Sequence, residues 1–108
     1  MEFAVSDDGG VAALVECDGL HQGYSGVLHG GIVALLLDGA MTNCLFAAGV
    51  TALTAHMSIR YLKSATTDKP VRLEARITHS RPPLYLLESE MRQGEVVVAR
   101  ASGKFMTP

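Results

Sequence analysis

The sequence predicts an α+β fold in which an antiparallel sheet wraps one long central helix. Three observations predict it. Residues 30–48 are rich in Ala, Leu and Met, contain no proline and stop at Gly49, the pattern of one helix with a glycine C-terminal cap. Elsewhere the hydrophobic period drops to two, the mark of strands with one buried face. Short turn-forming sequences join most of these runs, so neighbouring strands run antiparallel. With 108 residues the chain makes one domain, residues 1–108, with room for a modest core.

In chain order, residues 2–6 and 11–18 flank DDGG, a turn signal between two antiparallel strands. Residues 19–28, GLHQGYSGVL, hold three glycines and read as a loop. The helix follows. In LTAHMSIRYL the apolar positions Leu53, Ala55, Met57, Ile59 and Tyr61 alternate with Thr54, His56, Ser58 and Arg60, a half-buried strand with one polar face. KSATTDKP is a loop, VRLEARITH alternates again, SRPP breaks the chain and LYLLESEM resumes it. RQGE reads as a hairpin turn, and VVVARASGKFM as the last strand. A helix apolar on nearly every side cannot leave half of itself in water, so the sheet must wrap it, or a partner chain must cover it, and both are expected.

Composition narrows the functional classes. A hydrophobic fraction of 48% and a charged fraction of 19% are those of a folded globular chain. A net charge of −2, with Lys and Arg scattered, gives no nucleic-acid footprint. Cys17 and Cys44 fit neither a metal-ligand nor a disulfide framework and read as buried thiols, so no metal is expected. MEFAVSDDGG has no basic segment followed by an apolar one, which points to a soluble protein of a reducing cytoplasm. A membrane span over residues 32–50 would carry Asp38 well inside, at a cost of roughly 2.5–3.5 kcal/mol, so no membrane association is expected.

Chemistry concentrates in GYSGVLHGGIVALLLDGAM, residues 23–41. Gly30 and Gly31 start a helix at a cost of roughly 1 kcal/mol each relative to alanine. Either a tight loop-to-helix turn needs glycine dihedrals, or the glycines bare backbone N–H groups at the positive end of the helix dipole, where a polarised carbonyl oxygen fits. Asp38, the one charge in the apolar run, must be hydrogen-bonded, paired or raised in pKa; a nearby hydroxyl or amide would make it structural, and water access would make it a general base. His29 and Asp38 are nine residues apart, about 13.5 Å along a helix at ~1.5 Å per residue. They cannot serve one reacting atom within a chain. Two such helices, antiparallel across a two-fold axis, would bring the glycine end of one to the aspartate of the other and make two identical sites.

HGG followed by LLLDGAM, with AHMSIRYLKSA and GEVVVARASGKF downstream, resembles the hotdog-fold acyl-CoA thioesterases, in particular the phenylacetic-acid-pathway (PaaI-like) branch of the 4-hydroxybenzoyl-CoA thioesterase superfamily. The match covers roughly residues 20–106. It implies a hotdog fold, dimers with one continuous sheet, often paired into tetramers, and hydrolysis of acyl-CoA with no cofactor, coenzyme A being part of the substrate. It further implies that the Gly30 N–H binds the thioester carbonyl, that His29 orients the thioester, that the partner chain's Asp38 acts as general base or nucleophile, and that Thr54 positions the water. Many members carry an asparagine six residues before the histidine. This chain has Gly23 there, with Gln22 beside it to reach the same space.

Gly31 joins this set as a substrate contact. His56 shares the polar strand face with Thr54, and Arg60, Lys63 and Arg81 are candidates for the phosphates of coenzyme A, each set against an ordinary solvated position. HSRPPLY borders the pantetheine channel or is only an edge turn, and Tyr24 and Phe46 line an acyl pocket or belong to the core. Two rival functions keep the same fold: a non-catalytic acyl-CoA-binding or regulatory module, and a hydratase or dehydratase acting on acyl thioesters.

Overall fold

The computed structural model describes residues 3–6, 8–17, 22–24 and 26–108, with residues 22–24 described by backbone only. The period-two runs form β1 (Ala4–Val5), β2 (Val11–Val15), β5 (Leu53–Tyr61), β6 (Val71–Arg81), β7 (Leu84–Gln93) and β8 (Val96–Met106). They make one six-stranded sheet in the order β1-β2-β6-β7-β8-β5, each neighbouring pair antiparallel. The one helix among the described residues is α1 (Gly30–Ala47), and Gly49 just beyond it adopts φ +80°, the left-handed stop expected of glycine. The α+β expectation holds.

Two expectations change in detail. The stretch read as a loop before the helix contains a second, two-stranded sheet, β3 (Gln22–Tyr24) with β4 (Val27–Leu28), which delivers the chain directly into His29. Two- and three-residue strands offer too few alternating positions to show a period. β6 runs on through Ser80 and Arg81, so the break in SRPP falls at Pro82 and Pro83 alone. In the first hairpin the turn is fastened by Asp8 Oδ1, which accepts from Gly10 N at 3.0 Å, and by Gly9 at φ +86°.

α1 lies chiefly over β6 and β7. Val33, Leu36, Leu37, Ala40, Met41, Cys44 and Leu45 recur at helical spacing and are buried on the sheet, where they meet Val71, Leu73, Leu87, Met91 and Phe105. Burying such a side chain fully contributes about 1.5–3 kcal/mol. Both cysteines are buried, as read from the sequence, and burial pushes the Cys44 thiol up. Gly103 shows how close the contact is. A Cβ there would lie 2.7 Å from Phe105 Cε1 and 3.0 Å from Met41 Sδ. Gly103→Ala is expected to cost about 1–3 kcal/mol by overpacking, read as a lower thermal midpoint.

The sheet covers only one side of α1. Gly31, Leu35, Thr42, Asn43 and Phe46 form an open stripe, with Leu35 65% and Phe46 74% exposed. Phe46 is therefore not a core residue of this chain. α1 is long and apolar enough to cross a membrane by length and composition, but its buried face is accounted for by the sheet. β5 is an end strand whose second edge has no partner among the described residues, and Leu53 and Tyr61 are largely exposed.

Candidate active site

The first half of the site is the start of α1. His29 is the N-cap, in extended conformation at φ −62° and ψ 136°. Its Nδ1 accepts from Gly31 N at 2.9 Å, so the neutral ring carries its proton on Nε2 and presents a donor outward. Gly31 is thus explained locally. A Cβ at position 31 would sit 3.1 Å from the imidazole, so alanine there would press on the cap. Its N–H is taken by His29, and the substrate contact assigned to Gly31 does not rest on a free donor.

Gly30 is different. Neither Gly30 nor Gly31 has a positive φ, so the dihedral requirement, one of the two sequence readings, does not apply. The nearest atoms to a Cβ at position 30 would be those of Tyr61, at an ordinary 3.7–3.8 Å. No crowding among the described residues requires glycine there. The Gly30 N–H belongs to the first turn, outside the intrahelical ladder, and finds no acceptor among the described residues. It borders a cleft of about 370 Å³ lined by Val27, Leu28, Val33, Tyr61, Leu62 and Val98, with Lys63 at its rim. A bare donor at the positive end of a helix, beside a cleft lined by both apolar and polar groups, stabilises an oxygen that gains negative charge.

The second half is Asp38, half-buried two turns along α1. Its Oδ1 accepts from Thr54 Oγ1 at 2.9 Å, which accounts for the charge in the apolar run without a cation. Thr54 donates its only proton to the carboxylate, so its lone pairs stay open to accept from a water. The carboxylate's second oxygen has no partner among the described residues. A carboxylate and a hydroxyl so arranged can bind a water and take its proton.

Thr54 reaches Asp38 because β5 is bulged. Pairing with β8 runs Thr54 to Phe105, then His56 to Lys104, with an irregularity between. Residues directly opposite share a face. Thr54 therefore lies with buried Phe105 on the helix side, and His56 and Arg60 lie with Lys104 and Arg100 on the other. This corrects the expectation that Thr54, His56 and Arg60 share one polar face: the extra residue at Ala55 inverts the alternation. His56 and Arg60 are carried away from Asp38 of their own chain.

Of the remaining candidates, Lys63 borders the Gly30 cleft. Arg81 sits at the opposite end of the sheet, paired with Leu84, which leads through Met106 to Leu53. The nine residues of β5 span about 26 Å, so Lys63 and Arg81 of one chain cannot grip one phosphate. Arg72, Arg76, Arg92 and Arg100 are engaged by Glu74, Glu88 and Glu90. The side chains of Gln22 and Tyr24, and the surroundings of Gly23, lie outside the described residues. Among the described residues no group of His, Cys, Asp and Glu is placed to hold a metal.

Sequence reasoning missed Tyr61, which it counted as an apolar strand position. Its hydroxyl donates to Gly30 O at 2.9 Å, and its ring lines the cleft. The available signal was a phenol, which needs a polar partner, at the end of a strand.

A family model described as the thioesterase superfamily matches residues 25–99. A search of curated protein sequences finds no match. Among solved structures, a thioesterase superfamily protein is 26% identical with a TM-score of 0.88; the match covers 96% of this chain and 54% of that one, so this chain spans about half of its length. A hypothetical thioesterase of Streptococcus pneumoniae TIGR4, solved with coenzyme A, is 20% identical over 99% of this chain and 84% of its own, with a TM-score of 0.91. Two variants of that protein, one with an aspartate and one with a threonine sixteen positions later changed to alanine, align as well, each 19% identical over 98% of this chain and 88% of its own with a TM-score of 0.88. A phenylacetic acid degradation-related protein of Ralstonia eutropha JMP134 is 20% identical over 98% of this chain and 83% of its own, with a TM-score of 0.86.

Proposed function

We propose that this chain, which belongs to the thioesterase superfamily, hydrolyses acyl-CoA thioesters to a free acid and coenzyme A at a site shared by two copies of itself. One observation carries the shared site. Gly30 and Asp38 stand eight residues apart on one unbroken helix, about 12 Å, and each is fastened to a different end of β5. Tyr61 holds Gly30, and Thr54 holds Asp38. Antiparallel pairing of two β5 strands about their midpoint, Met57, lays the Thr54 end of one beside the Tyr61 end of the other. The unpaired edge of β5 and the open apolar stripe of α1 support such a pairing, which would bury Leu35 and Phe46.

In that arrangement the thioester carbonyl oxygen sits at the Gly30 N–H, with the His29 Nε2–H as a second donor. The partner chain's Asp38 takes a proton from a water held by Thr54, and the water oxygen attacks the carbonyl carbon. Charge moves onto the carbonyl oxygen, where the helix N-terminus stabilises it. The tetrahedral intermediate collapses, the C–S bond breaks, and the departing sulfur takes the proton that Asp38 holds, so coenzyme A leaves as its thiol and the carboxylate is restored. Lys63, at the rim of the cleft, is the cation best placed to meet a phosphate of the leaving cofactor moiety. The minimal active unit is the dimer.

The test is free-thiol release from a panel of acyl-CoAs of varied chain length and aromaticity. Release from at least one class is expected. Thermal stabilisation by acyl-CoA with no thiol from any of them would replace the enzyme with a binding module, and loss of enoyl absorbance without thiol would indicate a hydratase.

A further inference from the structure

We infer that Tyr61 is a positioning residue, aiming the Gly30 amide at the carbonyl oxygen by tethering the start of α1 to the dimer-forming strand. The inference rests on the thioesterase reading. Apart from the His29 cap on Gly31 N and the first-turn bonds of Ile32 N and Val33 N to His29 O, the start of α1 is two glycines behind an exposed N-cap, with no side chain at position 30 or 31. Glycine gives the backbone freedom that an oxyanion donor must not have. Tyr61 removes it in two ways. Its O–H donates to Gly30 O at 2.9 Å, and its ring stands 3.7–3.8 Å from the position a Gly30 Cβ would take, closing that side of the peptide.

The anchor has a consequence for geometry. Tyr61 is the last residue of β5, paired with Ala99 in β8, and the chain is held again at once by Leu62 N and Lys63 N donating to Val98 O at 2.9 and 3.1 Å. The phenol therefore projects from backbone fixed on both sides. Thr54, seven residues earlier on the same strand, orients Asp38. One strand thus references both the donor of its own chain and the carboxylate it offers to its partner. Loss of about 1 Å in such alignment costs of order a hundredfold in rate, and donor alignment matters most in the transition state. The phenol proton is already given to Gly30 O, so Tyr61 transfers no proton to substrate.

Tyr61→Phe keeps the ring and deletes only the tether. It is expected to lower kcat about tenfold or more with KM within about twofold, while sedimentation and the thermal midpoint stay near those of the unaltered protein. Tyr61→Leu should lose a similar factor, because the hydroxyl carries the effect. Wild-type kcat in Tyr61→Phe with a loss only in Tyr61→Leu overturns the tether and leaves simple packing. A basic limb in the kcat–pH profile that disappears in Tyr61→Phe also overturns it, since the phenol would then titrate in the reaction. Absence of thiol release by the unaltered protein is a separate result, which removes the thioesterase reading and this inference with it.

Discussion

Asp38→Asn is expected to abolish turnover, with kcat lower by about 10²–10⁴-fold, and to leave the dimer intact. Asparagine has the same shape and still offers an oxygen to the Thr54 hydroxyl, which now donates to Asp38 Oδ1 at 2.9 Å. It cannot take a proton from water. Asp38 makes no ion pair among the described residues, so the substitution strands no buried cation. Aspartate and asparagine also have similar helix propensity, and α1 is retained. Asp38→Ala should be as inactive, and its Thr54 hydroxyl, on a largely exposed residue, can turn to solvent at little cost. Steady-state thiol release together with sedimentation checks both variants. Turnover near wild type in either one would remove Asp38 from the chemistry.

The parts of the fold that were legible in the sequence are those set by local period. The bounds of α1 follow from composition and from Gly49, and the long strands follow from alternation over nine to eleven residues. The sheet order was not legible, because β2 pairs with β6 across more than fifty residues and no local signal marks that choice. The bulge in β5 was also hidden. Thr54, His56, Ser58 and Arg60 alternate without a flaw in the sequence, and the inserted Ala55 is an ordinary strand residue. The sequence placed Thr54 on the correct strand and the wrong face. Gly30 and Gly31 read alike as residues, and only the folded geometry separates a glycine that makes room for its own cap from one that no crowding among the described residues requires.

Mixed dimers of two inactive chains are expected to recover activity, because the site takes its donor from one chain and its base from the other. Gly30→Pro supplies the second inactive chain. Proline is favoured at the first position of a helix, and His29 before it already holds φ −62° and ψ 136°, the region a residue preceding proline prefers. The substitution therefore removes one N–H at small cost to the helix, and alone it should reduce kcat by about 10²–10³-fold. In a dimer of Gly30→Pro with Asp38→Asn, one site joins an intact Gly30 to an intact Asp38 and the other carries both lesions. Heterodimers purified through two different affinity tags should then show about half the wild-type rate, one working site of two. Homodimers of either variant should stay inactive in the same assay. If the purified heterodimer is as inactive as its parents, Gly30 and Asp38 do not meet across an interface, and the site must be sought within a single chain.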